Sequence, residues 1–158
     1  MSKPKSGDVA PDFSLATDKG DSFSLSAHRG RPVVVFFYPH DDTQTCTIEN
    51  KAFSALSRAF QAAGAVLIGV SPDSVAQHCR FRDKYGLEST LGADPDHRAI
   101  SAYGVWGQKT RFGRTYDGVN RTTFLIDAQG RIAAVWDVAR VKGHADQVLA
   151  AIKALPKA

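Results

Sequence analysis

The chain has 158 residues, 43% hydrophobic and 23% charged, with a formal charge of +4 and a pI near 9.2. That composition fits one globular domain over residues 1–158, long enough to bury a core unaided, and excludes disordered, fibrous and disulfide-stapled chains. The longest apolar run, Val33 to Tyr38, is far too short to span a bilayer, and the start Met-Ser-Lys-Pro-Lys-Ser-Gly-Asp lacks the apolar stretch of a secretory signal. A cytoplasmic protein without a membrane partner is expected.

Val33-Val-Val-Phe-Phe-Tyr38 is β-branched and aromatic, bounded by prolines, and reads as a buried central strand. Ile48, Phe53, Leu56 and Phe60 then recur at helical spacing, predicting a helix from about Cys46 to Ala62 with Gly64 beyond it. Residues 65–70 give a second apolar strand. Ser71-Pro72-Asp73 reads as the start of a second helix, with Ser71 as N-cap and Gly86 as the stop after Tyr85. Strand, helix, strand and helix in this order imply parallel pairing through right-handed crossovers. Residues 95–103 predict a short helix, with Asp94-Pro-Asp-His97 as its turn and cap rather than a metal site.

Residues 104–120 are rich in glycine and polar groups and read as a loop. With Arg121, this stretch carries the cations Lys109, Arg111 and Arg114 against the single acid Asp117. No nucleic-acid motif accompanies them, so a solvated face or an anion funnel is the better reading. Trp106, Phe112 and Tyr116 in the same stretch would rim a pocket or, for at least two of them, cover a sheet edge. Residues 122–126 and 131–136 predict a hairpin, and 144–155 an amphipathic helix. The sum is an α/β chain with a mixed central sheet and helices on both faces.

Chemistry concentrates between Phe37 and Glu49. A buried strand ends, a loop turns, and Cys46 lands in the first turn of a helix, where unpaired N–H groups and the positive dipole end favour a thiolate. Thr43 offers a hydroxyl to the sulfur or to an incoming oxygen, Pro39 stiffens the loop and shields the site, and Thr45 is placed to cap the helix. His40 reads as a surface residue near the site. A buried, inert thiol is the competing account of Cys46.

These residues resemble the peroxiredoxins, and within them the bacterioferritin-comigratory (Q-type) group. The Pro-x-x-x-Thr-x-x-Cys signature is matched by Pro39, Thr43 and Cys46. Residues 7–15, 68–73 and 121–127 are similar to further family segments in the same order. The resemblance implies a thioredoxin-like fold, a thiol peroxidase acting on hydrogen peroxide and organic hydroperoxides, and no metal or other cofactor. It makes Cys46 the peroxidatic cysteine, Arg121 the group that steadies thiolate and peroxide, and Glu49 the residue that orients Arg121, although from the sequence Glu49 reads equally well as an exposed first-turn acid that helps the helix. It also implies a monomer or weak dimer, re-reduced by thioredoxin or another thiol.

Two departures stand out. Gln44 and Thr45 replace the Pro-Gly usual in the group, and Lys51 occupies the position five after the cysteine where many members carry their resolving thiol. Cys79, on the second predicted helix, is the remaining candidate for resolving the Cys46 sulfenic acid. Two alternatives stay open: a one-cysteine enzyme with Cys79 structural, and a redox-inactive binding module using the aromatic and basic residues of 104–116.

Overall fold

The computed structural model describes residues 3–156. The chain opens with a small antiparallel pair, β1 (Ser14–Ala16) and β2 (Ser22–Ser24), and a single 3-10 turn at Leu25–His28. β3 (Val33–Phe37) then enters the centre of the molecule, every residue of it buried. Its side chains alternate between two cores. Val33, Val35 and Phe37 join Phe13, Phe23, Ile100 and Tyr103 on one face, while Val34 and Phe36 join Phe53, Phe60, Phe81 and Val148 on the other.

α1 (Gln44–Ala55) follows, capped by Thr43, and α2 (Ser57–Ala62) continues after a break at Leu56. The single helix expected from Cys46 to Ala62 thus begins two residues earlier and divides. Just before the break, the Ser54 hydroxyl accepts the Glu88 N–H at 2.7 Å, tying this turn to a distant loop. β4 (Val66–Ser71) lies parallel to β3, as the crossover argument requires. Gly69 of β4 sits under Phe36, where a Cβ would come within 2.6 Å of the ring; the same ring stacks on Phe53 at 4.2 Å between centroids.

α3 (Val75–Tyr85) is capped by Ser74 rather than Ser71. Ser74 Oγ accepts the Gln77 N–H at 3.2 Å and Gln77 Oε1 accepts the Ser74 N–H at 2.7 Å, a reciprocal capping box that outcompetes the Ser-Pro-Asp start. Ser71 instead ends the strand. Gly86 closes α3 at φ +64, as expected. β5 (Thr90–Ala93) pairs parallel with β4, and α4 (Arg98–Ala102) receives its cap from Asp94, whose carboxylate accepts the Arg98 and Ile100 N–H groups. That confirms Asp94 as a turn and capping residue.

The predicted loop 104–120 is a hairpin: β6 (Trp106–Arg111) pairs antiparallel with β7 (Arg114–Val119). It stands outside the main sheet with its outer residues in solvent, so it lacks the apolar alternation that betrays a half-buried strand. β8 (Thr122–Ile126) returns to the centre beside β3, β9 (Ile132–Asp137) pairs with β8, and α5 (His144–Lys153) closes the second core. The main sheet has the order β5-β4-β3-β8-β9, mixed as expected. Phe37 is the register partner of Thr122, so the chain enters β8 at Arg121 just where β3 gives way to the loop leading to Cys46. No helix among the described residues is long and apolar enough to cross a membrane.

Candidate active site

α1 delivers Cys46 as its third residue, only 1% exposed, at the helix end where backbone N–H groups lack intrahelical partners. The β3/β8 ladder delivers Arg121 to the same point. Arg121 Nη2 donates to Cys46 Sγ at 3.3 Å, and Nη1 donates to Glu49 Oε1 at 2.6 Å. Glu49 lies one turn along α1 from Cys46, so a single guanidinium bridges the sulfur and the carboxyl.

Glu49 is 1% exposed, and its second oxygen has no hydrogen-bond partner among the described residues. Burial therefore pushes its carboxyl up to about 7, although the Arg121 charge and hydrogen bond pull the other way. For Arg121, burial works against the charge, but Glu49 and Cys46 outweigh it and hold the guanidinium above its ordinary range. The cation beside the sulfur stays charged throughout the useful pH range.

A groove of about 700 Å³ opens over Cys46, and Pro39, Thr43 and Arg121 all line it. Thr43 is the N-cap of α1 by backbone geometry, displacing Thr45 from that role. Its hydroxyl donates to the His40 carbonyl at 3.3 Å, so in this conformation it stiffens the loop and does not hold the sulfur. His40 is largely exposed, as expected, yet its Nδ1 meets the buried Asp73.

The far wall of the groove comes from the hairpin. Trp106 and Tyr116 both line it, which corrects the expectation that at least two of the three aromatics of this stretch cover a sheet edge. Lys109 adds a second cation that sequence reasoning left in an undifferentiated basic stretch. Its stem lies over Gly118, where a Cβ would meet Lys109 Cδ at 3.2 Å, and its ammonium donates to the Val119 carbonyl at 2.7 Å. Burial, helped by repulsion from Arg121, lowers the Lys109 pKa.

Cys79 lies elsewhere, on α3. Its Sγ is 3.5 Å from the Asp18 carbonyl, which also accepts from Arg82 at 2.6 Å. The thiol is half-buried and belongs to neither hydrophobic core, unlike Cys46, and both cysteines are free. Asp41, Asp73 and His78 form a further buried cluster, with ligand atoms within 4.8 Å of one another, that sequence reasoning missed. Both Asp41 oxygens, both Asp73 oxygens and both His78 ring nitrogens already face protein partners, so the donor set is internally saturated and reads as a hydrogen-bonded network.

A model of the AhpC/TSA family matches residues 6–135. A putative peroxiredoxin Bcp of Coxiella burnetii is 45% identical over 143 residues, covering 90% of this chain and 95% of that protein. Among solved structures, the bacterioferritin comigratory protein of Xanthomonas campestris, described for its alkyl peroxide reduction activity, aligns with a TM-score of 0.84 at 39% identity over 90% of each chain. A cysteine mutant of PrxQ from Xylella fastidiosa aligns with a TM-score of 0.90 at 32% identity over 98% of each chain.

Proposed function

The chain belongs to the AhpC/TSA family, and on that premise we propose how its residues carry out thiol-dependent peroxide reduction within a single thioredoxin-like domain. The Arg121 bridge between Cys46 and Glu49 carries the assignment. The Cys46 thiolate attacks one peroxide oxygen, forming an S–O bond as the O–O bond breaks. The departing oxygen leaves as alkoxide or hydroxide and takes a proton to become alcohol or water. Arg121 and the unpaired N–H groups at the start of α1 stabilise the charge that develops on that oxygen, while Glu49 keeps the guanidinium aimed. Pro39 narrows access, and Thr43 holds the loop in shape. The groove beside Trp106 and Tyr116 is roomy and partly apolar, which suits organic hydroperoxides as well as hydrogen peroxide.

Cys79 then resolves the sulfenic acid. Its sulfur attacks the Cys46 sulfur, the S–S bond forms, the S–O bond breaks, and hydroxide leaves with the thiol proton as water. Its half-buried position outside both cores supports this role over that of a packing thiol. A disulfide requires Cα atoms within about 7 Å, and each sulfur must first leave its present partner, Arg121 or the Asp18 carbonyl. Thioredoxin reduces the disulfide, and the enzyme works in the cytoplasm as a monomer or weak dimer.

Intact mass after one equivalent of hydrogen peroxide, on wild type, Cys46→Ser and Cys79→Ser, tests the cycle. A loss of about two mass units in wild type alone, with a trappable sulfenic acid in Cys79→Ser, is expected. Oxygen addition at Cys46 without a disulfide would make the enzyme one-cysteine. An unreactive Cys46 would overturn the assignment of the nucleophile.

A further inference from the structure

The buried network behind the groove holds the loop that leads to Cys46. His78 is fully buried, and both ring nitrogens face acceptors: Nδ1 lies 2.6 Å from Asp41 Oδ2, and Nε2 lies 2.9 Å from the Gly92 carbonyl. A carbonyl can only accept, so Nε2 donates to it, and the Nδ1 contact leaves one proton shared between imidazole and carboxyl. The other Asp41 oxygen accepts from Tyr38 Oη at 2.6 Å. The Asp41 backbone N–H donates at 2.7 Å to Asp73, which also accepts from the Ser71 hydroxyl at 2.6 Å. Loop, α3 and the ends of β3, β4 and β5 are thereby joined through groups with no unmet polar atom in the chain of bonds.

Neither Asp41 nor His78 lines the groove over Cys46. Each instead adjoins one of the two cysteines along the chain, since Asp41 is on the loop that runs into Cys46 and His78 immediately precedes Cys79. A second tie joins the same two elements at the surface, where Asp42 accepts from Lys84 at 2.8 Å and Tyr85 at 2.6 Å. Exposed ties of that kind hold weakly, whereas removing one partner of a buried charged pair is severe.

We propose that Asp41 and His78 are positioning residues that clamp the Cys46 loop to α3, and that release of this clamp sets the rate of disulfide formation. The inference rests on the two-cysteine reading above. Opening the clamp frees both the turn bearing Cys46 and the helix bearing Cys79, so a weaker clamp speeds resolution without changing attack on peroxide.

The test is a time course after one equivalent of hydrogen peroxide, quenched and read by mass for trapped sulfenic acid and for disulfide. Asp41→Asn keeps one oxygen to accept from Tyr38 and places an N–H donor opposite His78 Nδ1, making the pair neutral, and should form the disulfide about threefold faster than wild type. Asp41→Ala removes the bonds, and should do so about tenfold faster or more, a factor equivalent to about 1.4 kcal/mol. Asp42→Asn, on the exposed tie, should stay within about twofold. Sulfenic acid formation should match wild type in all three. Should Asp41→Ala lose its fold by circular dichroism, Asp41→Asn decides alone. A wild-type disulfide rate in Asp41→Asn overturns the clamp and leaves the two-cysteine cycle standing; no disulfide in wild type overturns both.

Discussion

The loop from Pro39 to Thr43 connects two buried charged clusters that differ in how completely their polar atoms are partnered. Around Cys46, Glu49 keeps an orphan oxygen and the sulfur has a single side-chain donor. Around Asp41, both ring nitrogens of His78 and all four carboxylate oxygens of Asp41 and Asp73 are engaged. A saturated network has no capacity left for a reacting atom, and its value lies in holding elements together. The Cys46 cluster lies instead at a helix start, whose N–H groups lack intrahelical partners and so can donate to a developing oxyanion. On the proposed reading, the chemistry belongs to the cluster whose hydrogen bonding is incomplete.

Removing Arg121 is the most damaging way to break this contrast. Arg121→Gln should slow Cys46 oxidation about 10²- to 10³-fold, measured under pseudo-first-order peroxide, because the donor to the developing charge is lost. Next comes pH. The Glu49 carboxyl, raised from 4.5 to about 7 in the folded protein, makes the native state bind more protons than the unfolded chain across that window. Its contribution to stability is therefore full at low pH and lost as pH rises through about 7, by about 3 kcal/mol in total. Denaturant titrations from pH 4 to 8 should show that slope, and Glu49→Gln should flatten it.

On the saturated side, Tyr38→Phe strips one donor from Asp41 and should cost about 1–3 kcal/mol in urea unfolding while leaving peroxide attack near its wild-type rate. A large fall in the oxidation rate would erase the distinction between the clusters. The smallest effect is expected at the groove wall. Lys109→Met keeps the stem over Gly118 and removes a cation already bonded to a carbonyl, so Cys46 oxidation should slow by only about two- to fivefold, with the loss shrinking as salt is added. A salt-independent loss would mean that Lys109 acts through packing.

Much of the unsaturated cluster was legible in the chain. Cys46 follows a buried strand and falls at a helix start, and Glu49 comes one turn later, both local relations that spacing reveals. Arg121 lies 75 residues from Cys46 and could be assigned only through family resemblance, because the β3/β8 register is a long-range fact. The saturated cluster escaped notice for the same reason: Asp41, Asp73 and His78 come from three segments whose residues look like ordinary loop and helix polar groups. Ser74 and Gln77 spell the capping box of α3, but Ser71-Pro72-Asp73 offers a competing start three residues earlier that local sequence alone does not disqualify. The hairpin was hidden by Gly107, Gly113 and Gly118 and by its exposed faces, and the second wall of the groove went with it.

The pairing of Phe37 with Thr122 turns the central sheet into a ruler. Cys46 and Arg121 are each tethered a fixed number of residues from that mark, and a strand can shift only in whole residue steps of about 3.3 Å, each step turning its side chains to the opposite face. A one-residue slip of β8 against β3 would carry Arg121 off that mark, so an insertion or deletion that shifts the register removes the sulfur–guanidinium contact outright, whereas opening of the loop releases it reversibly.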